Sequence, residues 1–152
     1  MKITCKFLFS LLVVGLIFGA INCGGGQVAK DNRPAYKIGD TGPGGGIVFF
    51  AEDGQYKECG VELGSFNWHD ASKVAQRYNG GDLTDWRLPD KDELDLIYKN
   101  LHVNSLGEFS NGWYWSSSSG DDNDAWNQNF NNGNQRSISK FDSNRVRAVR
   151  VI

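Results

Sequence analysis

Cysteine and histidine are both scarce in this chain, and each scarcity removes a class of protein. The 152 residues include three cysteines and two histidines. Cys5 and Cys23 lie at the very start, so Cys59 stands alone in the body of the chain, and no disulfide framework is available. A domain built this way must be held by its core and not by cross-links. The two histidines, His69 and His102, do not fall at ligand spacing with a cysteine, which gives zinc no site. They also give serine no base: Ser116 to Ser119 lack a nucleophile-elbow pattern, and His69 and His102 read as surface or capping residues at helix ends. An excess of positive charge is missing too. Sixteen Lys and Arg against eighteen Asp and Glu cannot make the broad basic surface of a nucleic-acid binder, so no nucleic-acid partner is expected. Beyond the first 22 residues no long hydrophobic run occurs.

What the chain has in plenty is glycine, 19 in all, with five tryptophans. That combination suits short strands, tight turns and bulky aromatic packing better than a helical bundle. The one long apolar run, Phe7 to Ile21, follows Lys2 and Lys6 and ends in the small residues Gly19 and Ala20 just before Cys23. A basic start, an apolar stretch and a small-residue approach form an export signal, too short and wrongly flanked for a stable membrane span. Ala20-Ile21-Asn22-Cys23 resembles a bacterial lipoprotein lipobox, with Asn22 where that motif prefers Gly or Ala. The resemblance implies that Cys23 is the lipid-attachment residue and the new N-terminus, ahead of plain secretion or an uncleaved anchor. Gly24, where inner-membrane lipoproteins often carry Asp, favours the outer membrane or cell surface. The division expected is a signal over 1–22, a glycine-rich, then polar tether over 23–35, and one domain over 36–152.

Within that domain, Gly39-Asp40-Thr41-Gly42-Pro43-Gly44 imitates two collagen triplets, but the spacing breaks at Gly45-Gly46, so a tight loop into a strand is expected. Ile47 to Ala51 is continuously apolar, as in a strand buried on both faces, and Tyr56 to Cys59 would return beside it as a hairpin. Trp68, Ala71, Val74, Ala75 and Tyr78 recur at helical spacing behind an Asn67 cap, and Asn79-Gly80-Gly81 closes the helix. A second helix starts at Asp90 with a capping box to Glu93 and a buried stripe of Leu94, Ile97, Tyr98 and Leu101. Strands are then expected over 113–117, 125–130, 136–140 and 145–152, with Asn132-Gly133 as a hairpin turn. Strands, two helices and more strands make the class α+β.

Five ordered segments carry a resemblance: Tyr36 to Phe49, Asp85-Trp86-Arg87-Leu88-Pro89 through Leu94, Trp113-Tyr114-Trp115 through Ser118, Ala125-Trp126, and Arg145 to Arg150. Together they resemble the bacterial family named after the C-terminal domain of the Lcl collagen-like adhesin. The resemblance implies a C-type-lectin-like fold, two helices on a small, mostly antiparallel sheet with a long loop-rich second half. It also implies that Ile47–Ala51 lies near Val146–Ile152. The family's named member is a surface adhesin that binds sulfated glycosaminoglycans, so polysaccharide or host extracellular matrix is the partner it implies. Its relatives among sulfatase-modifying enzymes use paired cysteines, which this chain lacks.

Candidate residues follow from the chemistry of such ligands. Arg136, Lys140, Arg145, Arg147 and Arg150 face a single anion, Asp142, in the C-terminal stretch. They could meet a polyanion or simply offset the acidic loop Asp121 to Asp124. Alternation places Arg145 and Arg147 on one face of the last strand and Arg150 on the other. Trp113 and Tyr114 are open candidates for stacking on sugars, whereas Trp86, Trp115 and Trp126 read as core and Arg87 as a loop-fixing residue. Asp121, Asp122 and Asp124 are oxygen-rich enough for calcium, but they lack an EF-hand spacing and read first as a solvated loop, so no cofactor is expected. Asp92, Glu93 and Asp95 offer no identifiable acid–base pair. The function expected is a non-enzymatic, lipid-anchored, adhesin-like binding module, with a structural envelope lipoprotein as its alternative and a hydrolase behind both. Lipidation makes the sharpest prediction. Cys23→Ala should abolish fatty-acid labelling and detergent partitioning, and labelling that survives the substitution would refute it.

Overall fold

The local signals in the sequence become six strands and two helices in the computed structural model, which describes residues 34–152. The export signal, Cys23 and all of the tether before residue 34 lie outside the described residues. In chain order the elements are β1 (Ile47–Glu52), β2 (Gln55–Phe66), α1 (Trp68–Arg77), α2 (Lys91–Ile97), β3 (Trp113–Ser119), β4 (Asp124–Asn129), β5 (Gln135–Ser139) and β6 (Asn144–Val151). Asn67 caps α1 by accepting from Asp70 N–H, and Tyr78 closes it. Asp90 and Glu93 form the reciprocal capping box of α2. The chain beyond α2 widens into a π-type turn, Tyr98–His102, in which Val103 N–H reaches back to Tyr98 O at 3.0 Å.

All strands join one sheet in the order β1-β2-β6-β3-β4-β5. Every pairing is antiparallel except β3 with β6, which is parallel. The architecture is α+β with a six-stranded mixed sheet. Successive residues of β6 alternate between two cores, which places the helices on opposite sides of it. Val146 and Ala148 pack with Ala71 and Ala75 of α1 and with Trp86, Leu88, Trp115 and Ala125. Val149 packs with Leu94 and Ile97 of α2 and with Phe49, Cys59, Leu101, Tyr114 and Phe130.

Three expectations need correction. β2 runs to Phe66, not to Cys59, because Gly60 is a packing requirement and not a breaker. A Cβ there would lie 2.6 Å from the Tyr78 ring, and bulges on either side of Glu62 absorb the extra residues. β1 is an edge strand, so only Val48 and Phe49 are fully buried, and β2 stands between β1 and β6. Trp126 is half-buried and lies under Lys91, whose Nζ is 3.6 Å from the ring centre.

Trp86 is 2% exposed, meets Tyr78 edge-on at 4.8 Å and donates through Nε1 to Gly80 O. Trp86→Ala should therefore cost ~3–5 kcal/mol by chemical denaturation, against ~1 kcal/mol for loss of the cap in Asp90→Ala. Equal losses for the two would show that the Trp86 ring does not support the core.

Candidate functional site

The charged side chains of this domain are sorted by three buried or half-buried carboxylates, and what remains at the surface is the candidate site. Glu58 is fully buried. It accepts from Gly44 N–H at 2.9 Å, Gly46 N–H at 3.0 Å and Arg150 Nη1 at 2.7 Å. Arg150 also holds Asp85 through Nε at 2.7 Å. Glu93 is 3% exposed and accepts from Arg87 twice at 2.7 Å, from Lys57 at 2.8 Å and from Asp90 N–H at 2.9 Å. Burial would raise its carboxyl, but the hydrogen bonds from Arg87, Lys57 and Asp90 outweigh that and hold it at about 2. Glu62 takes the Tyr114 hydroxyl at 2.8 Å and the Arg145 guanidinium. Burial opposes its ionisation, and Tyr114 and Arg145 together still hold it below the usual carboxylate range.

These pairings decide what became of the five C-terminal cations. Alternation read their faces correctly, yet the structure does not bring them together. Arg150 belongs to Glu58 and Asp85, and Arg145 to Glu62. Arg147 is 7% exposed and bonded to backbone carbonyls. Lys140, also 7% exposed, donates to Ser119 Oγ, Asp121 O and Asp122 O at 2.8, 2.8 and 3.0 Å. Its ammonium thus sits where the oxygens of the acidic loop converge. Asp121 turns its carboxylate onto Asn123 and Asp124 N–H at 2.8 Å each. Asp122 and Asp124 do not join it: among the described residues no group of three or more His, Cys, Asp or Glu is placed to hold a metal ion.

Arg136 alone of the five is exposed, with no carboxylate partner among the described residues. Its guanidinium carbon lies 4.0 Å from the centre of the half-buried Trp113 ring. The pairing follows from register. Trp113 opposes Asn129 and Arg136 opposes Asn127, so both side chains emerge from one face of β3-β4-β5. Tyr114 points the other way and is fully buried, so it offers no stacking surface. Burial and its bond to Glu62 push its hydroxyl above the ordinary phenol range. Cys59 is equally withdrawn, since burial pushes its thiol up to about 12 and leaves no thiolate for chemistry at neutral pH.

Sequence reasoning missed Glu58 as an organiser, and one signal pointed to it. Gly42, Gly44 and Gly46 alternate, and a Cβ on any of them would collide: with Glu58 Oε2 at 2.5 Å, Trp86 Cζ2 at 2.4 Å and Cys59 O at 2.7 Å respectively. Alternate glycines beside a strand mark a backbone pressed against buried groups.

The Lcl C-terminal domain family profile matches residues 52–150, and the chain belongs to this family. The match is narrower than the span of the five ordered motifs, which begin at Tyr36. It leaves out the Gly42–Gly46 loop and nearly all of β1, which Glu58 ties to the matched part. No curated protein matches the chain.

Because the folded value of Glu93 lies below its ordinary 4.5, its contribution is complete above that pH and is lost as pH falls toward about 2. Glu93→Gln should cost about 3 kcal/mol near neutrality and flatten the acid limb of stability against pH. An acid limb as steep as that of the parent would refute the assignment.

Proposed function

We propose that this member of the Lcl C-terminal domain family is a non-catalytic, adhesin-like binding module. In this reading a lipid on Cys23 holds it in the bacterial envelope, and it engages acidic polysaccharide such as sulfated glycosaminoglycan at the surface of Trp113 and Arg136. One observation carries the choice of surface. Of the five C-terminal cations, Arg136 is exposed and unneutralised among the described residues, and its guanidinium carbon lies 4.0 Å from the centre of an indole. An aromatic ring stacks on the apolar face of a sugar, and an adjacent guanidinium bonds a sulfate or carboxylate. β5 presents Arg136 from the end of the sheet order, where a long chain can pass.

The carboxylate network supports a binding role over hydrolysis. A glycosidase needs one acid with a raised pKa opposite a second carboxylate across a cleft. Here Glu58, Glu62 and Glu93 are all engaged by arginines, and Glu62 and Glu93 are held below the usual range. The C-type-lectin-like reading of the fold is likewise ours. It rests on helices placed on opposite sides of the sheet and on the early hairpin β1-β2 pairing with the last strand, β6.

Binding to immobilised heparin, measured against salt, tests the proposal. Trp113→Ala should weaken binding about tenfold, the loss of ~1–1.5 kcal/mol of stacking. Arg136→Ala should reduce the magnitude of the slope of log K against log salt by about one. Arg145→Ala should leave the slope unchanged. Binding indifferent to Trp113 and Arg136 would overturn this surface.

A further inference from the structure

A second feature lies on the opposite face of the sheet and is independent of the Trp113 surface. A cavity of about 470 Å³ is lined by Gly45, Gly46, Ile47, the segment Cys59–Glu62, Gly107, Glu108 and Arg147. That volume suits a molecule of monosaccharide size. Tyr114 and Arg145 pair across β3 and β6, so alternation puts Arg147 on the Tyr114 side and Trp113 on the other.

Arg147 is the unusual member of this lining. Its Nη1 donates to Gly60 O and its Nη2 to Gly107 O and Glu108 O, each at 2.9 Å. Its guanidinium carbon is 4.2 Å from the centre of the Phe109 ring. Its Nε–H is buried without an acceptor. Carbonyls satisfy donors but carry no net charge. The carboxylate opposite Arg147 across the strands, Glu62, is occupied by Tyr114 and Arg145. A nearly buried cation with no carboxylate of its own among the described residues therefore borders an open cavity, and an unpaired buried charge is costly. Pinning three carbonyls explains the donors; it does not explain a permanent charge placed on the wall of a cavity. A guanidinium with spare donor capacity is suited to an oxyanion. Glu62 and Glu108 on the wall disfavour a ligand of high negative charge, and Ile47, Val61 and the glycines suit the body of a small ring.

We propose that this cavity binds a singly charged oxyanion, a carboxylate or a sulfate ester, borne on a molecule of monosaccharide size, with Arg147 as its counter-charge. The test is titration of the ¹⁵N-labelled protein with glucuronate, glucose 6-sulfate and glucose at constant ionic strength, followed by the amide signals of Gly45, Gly60 and Gly107. The acids should shift these signals saturably and the neutral sugar should not; the two acid arms distinguish carboxylate from sulfate as the preferred group. Val61→Trp alters a wall residue that is 55% exposed, so it should fill the cavity, keep the folded spectrum and weaken binding at least tenfold. Arg147→Lys should weaken binding as well, and the Val61 variant decides the matter if that protein does not fold. The proposal is overturned if neither acid shifts these amides saturably, if glucose shifts them equally, or if Val61→Trp binds with unchanged affinity. Shifts confined to the Trp113 indole would also overturn it, while leaving the Trp113–Arg136 surface standing.

Discussion

The carboxylate of Glu58 is the interaction on which the rest of this domain depends. A fully buried negative charge is tolerated only when it is surrounded by donors, and here those donors come from both ends of the described chain. Gly44 and Gly46 supply backbone N–H groups from the entry loop, and Arg150 supplies a guanidinium from the last strand, 92 residues away. Arg150 then reaches Asp85, which neighbours Trp86, whose ring stands where a Cβ of Gly44 would be. One charge thus fixes the entry loop, the β2-β6 register and the Asp85–Asp90 segment that leads into α2.

Glu93 repeats the arrangement on α2. Its carboxylate joins the start of that helix to Arg87 and to Lys57 of β2, while Arg87 exchanges backbone hydrogen bonds with Val149 of β6. Of the arginines that look like a ligand surface in the sequence, Arg145 and Arg150 are therefore structural counter-ions, and Arg147 is tied to backbone carbonyls. A polyanion finds little free charge here, which is why the proposed surface is one cation on one indole and not a basic strip. The same logic applies to the loop after β3: it resembles a cation site because it is one, filled by the chain's own Lys140.

Local signals were legible in the sequence. The Asp90–Glu93 box, the Asn67 cap, the helical spacing of α1 and six strand cores each depend on residues within a few positions of one another. Alternation also placed Arg145 and Arg147 opposite Arg150, and the family was legible from ordered motifs. Long-range choices were not. Nothing near Glu58 names Arg150 as its partner, and nothing near Gly60 announces that Tyr78 packs against it, so the local pattern ends β2 at Cys59. Trp126 reads as core in the sequence because a half-buried ring under a lysine has the same local pattern as a fully buried one. The Trp113–Arg136 contact depends on the β3-β4-β5 register, and only Trp113's alternation with Tyr114 was available in advance.

The most direct measurement is native-state hydrogen exchange at the Gly44 and Gly46 amides in Glu58→Gln. If the Glu58 carboxylate organises the entry loop, both amides should be protected in the parent and lose at least tenfold in protection in the variant, with Glu93 and the α2 cap unaffected. Unchanged protection at Gly44 and Gly46 would contradict the account, because the loop would then hold its shape without the charge.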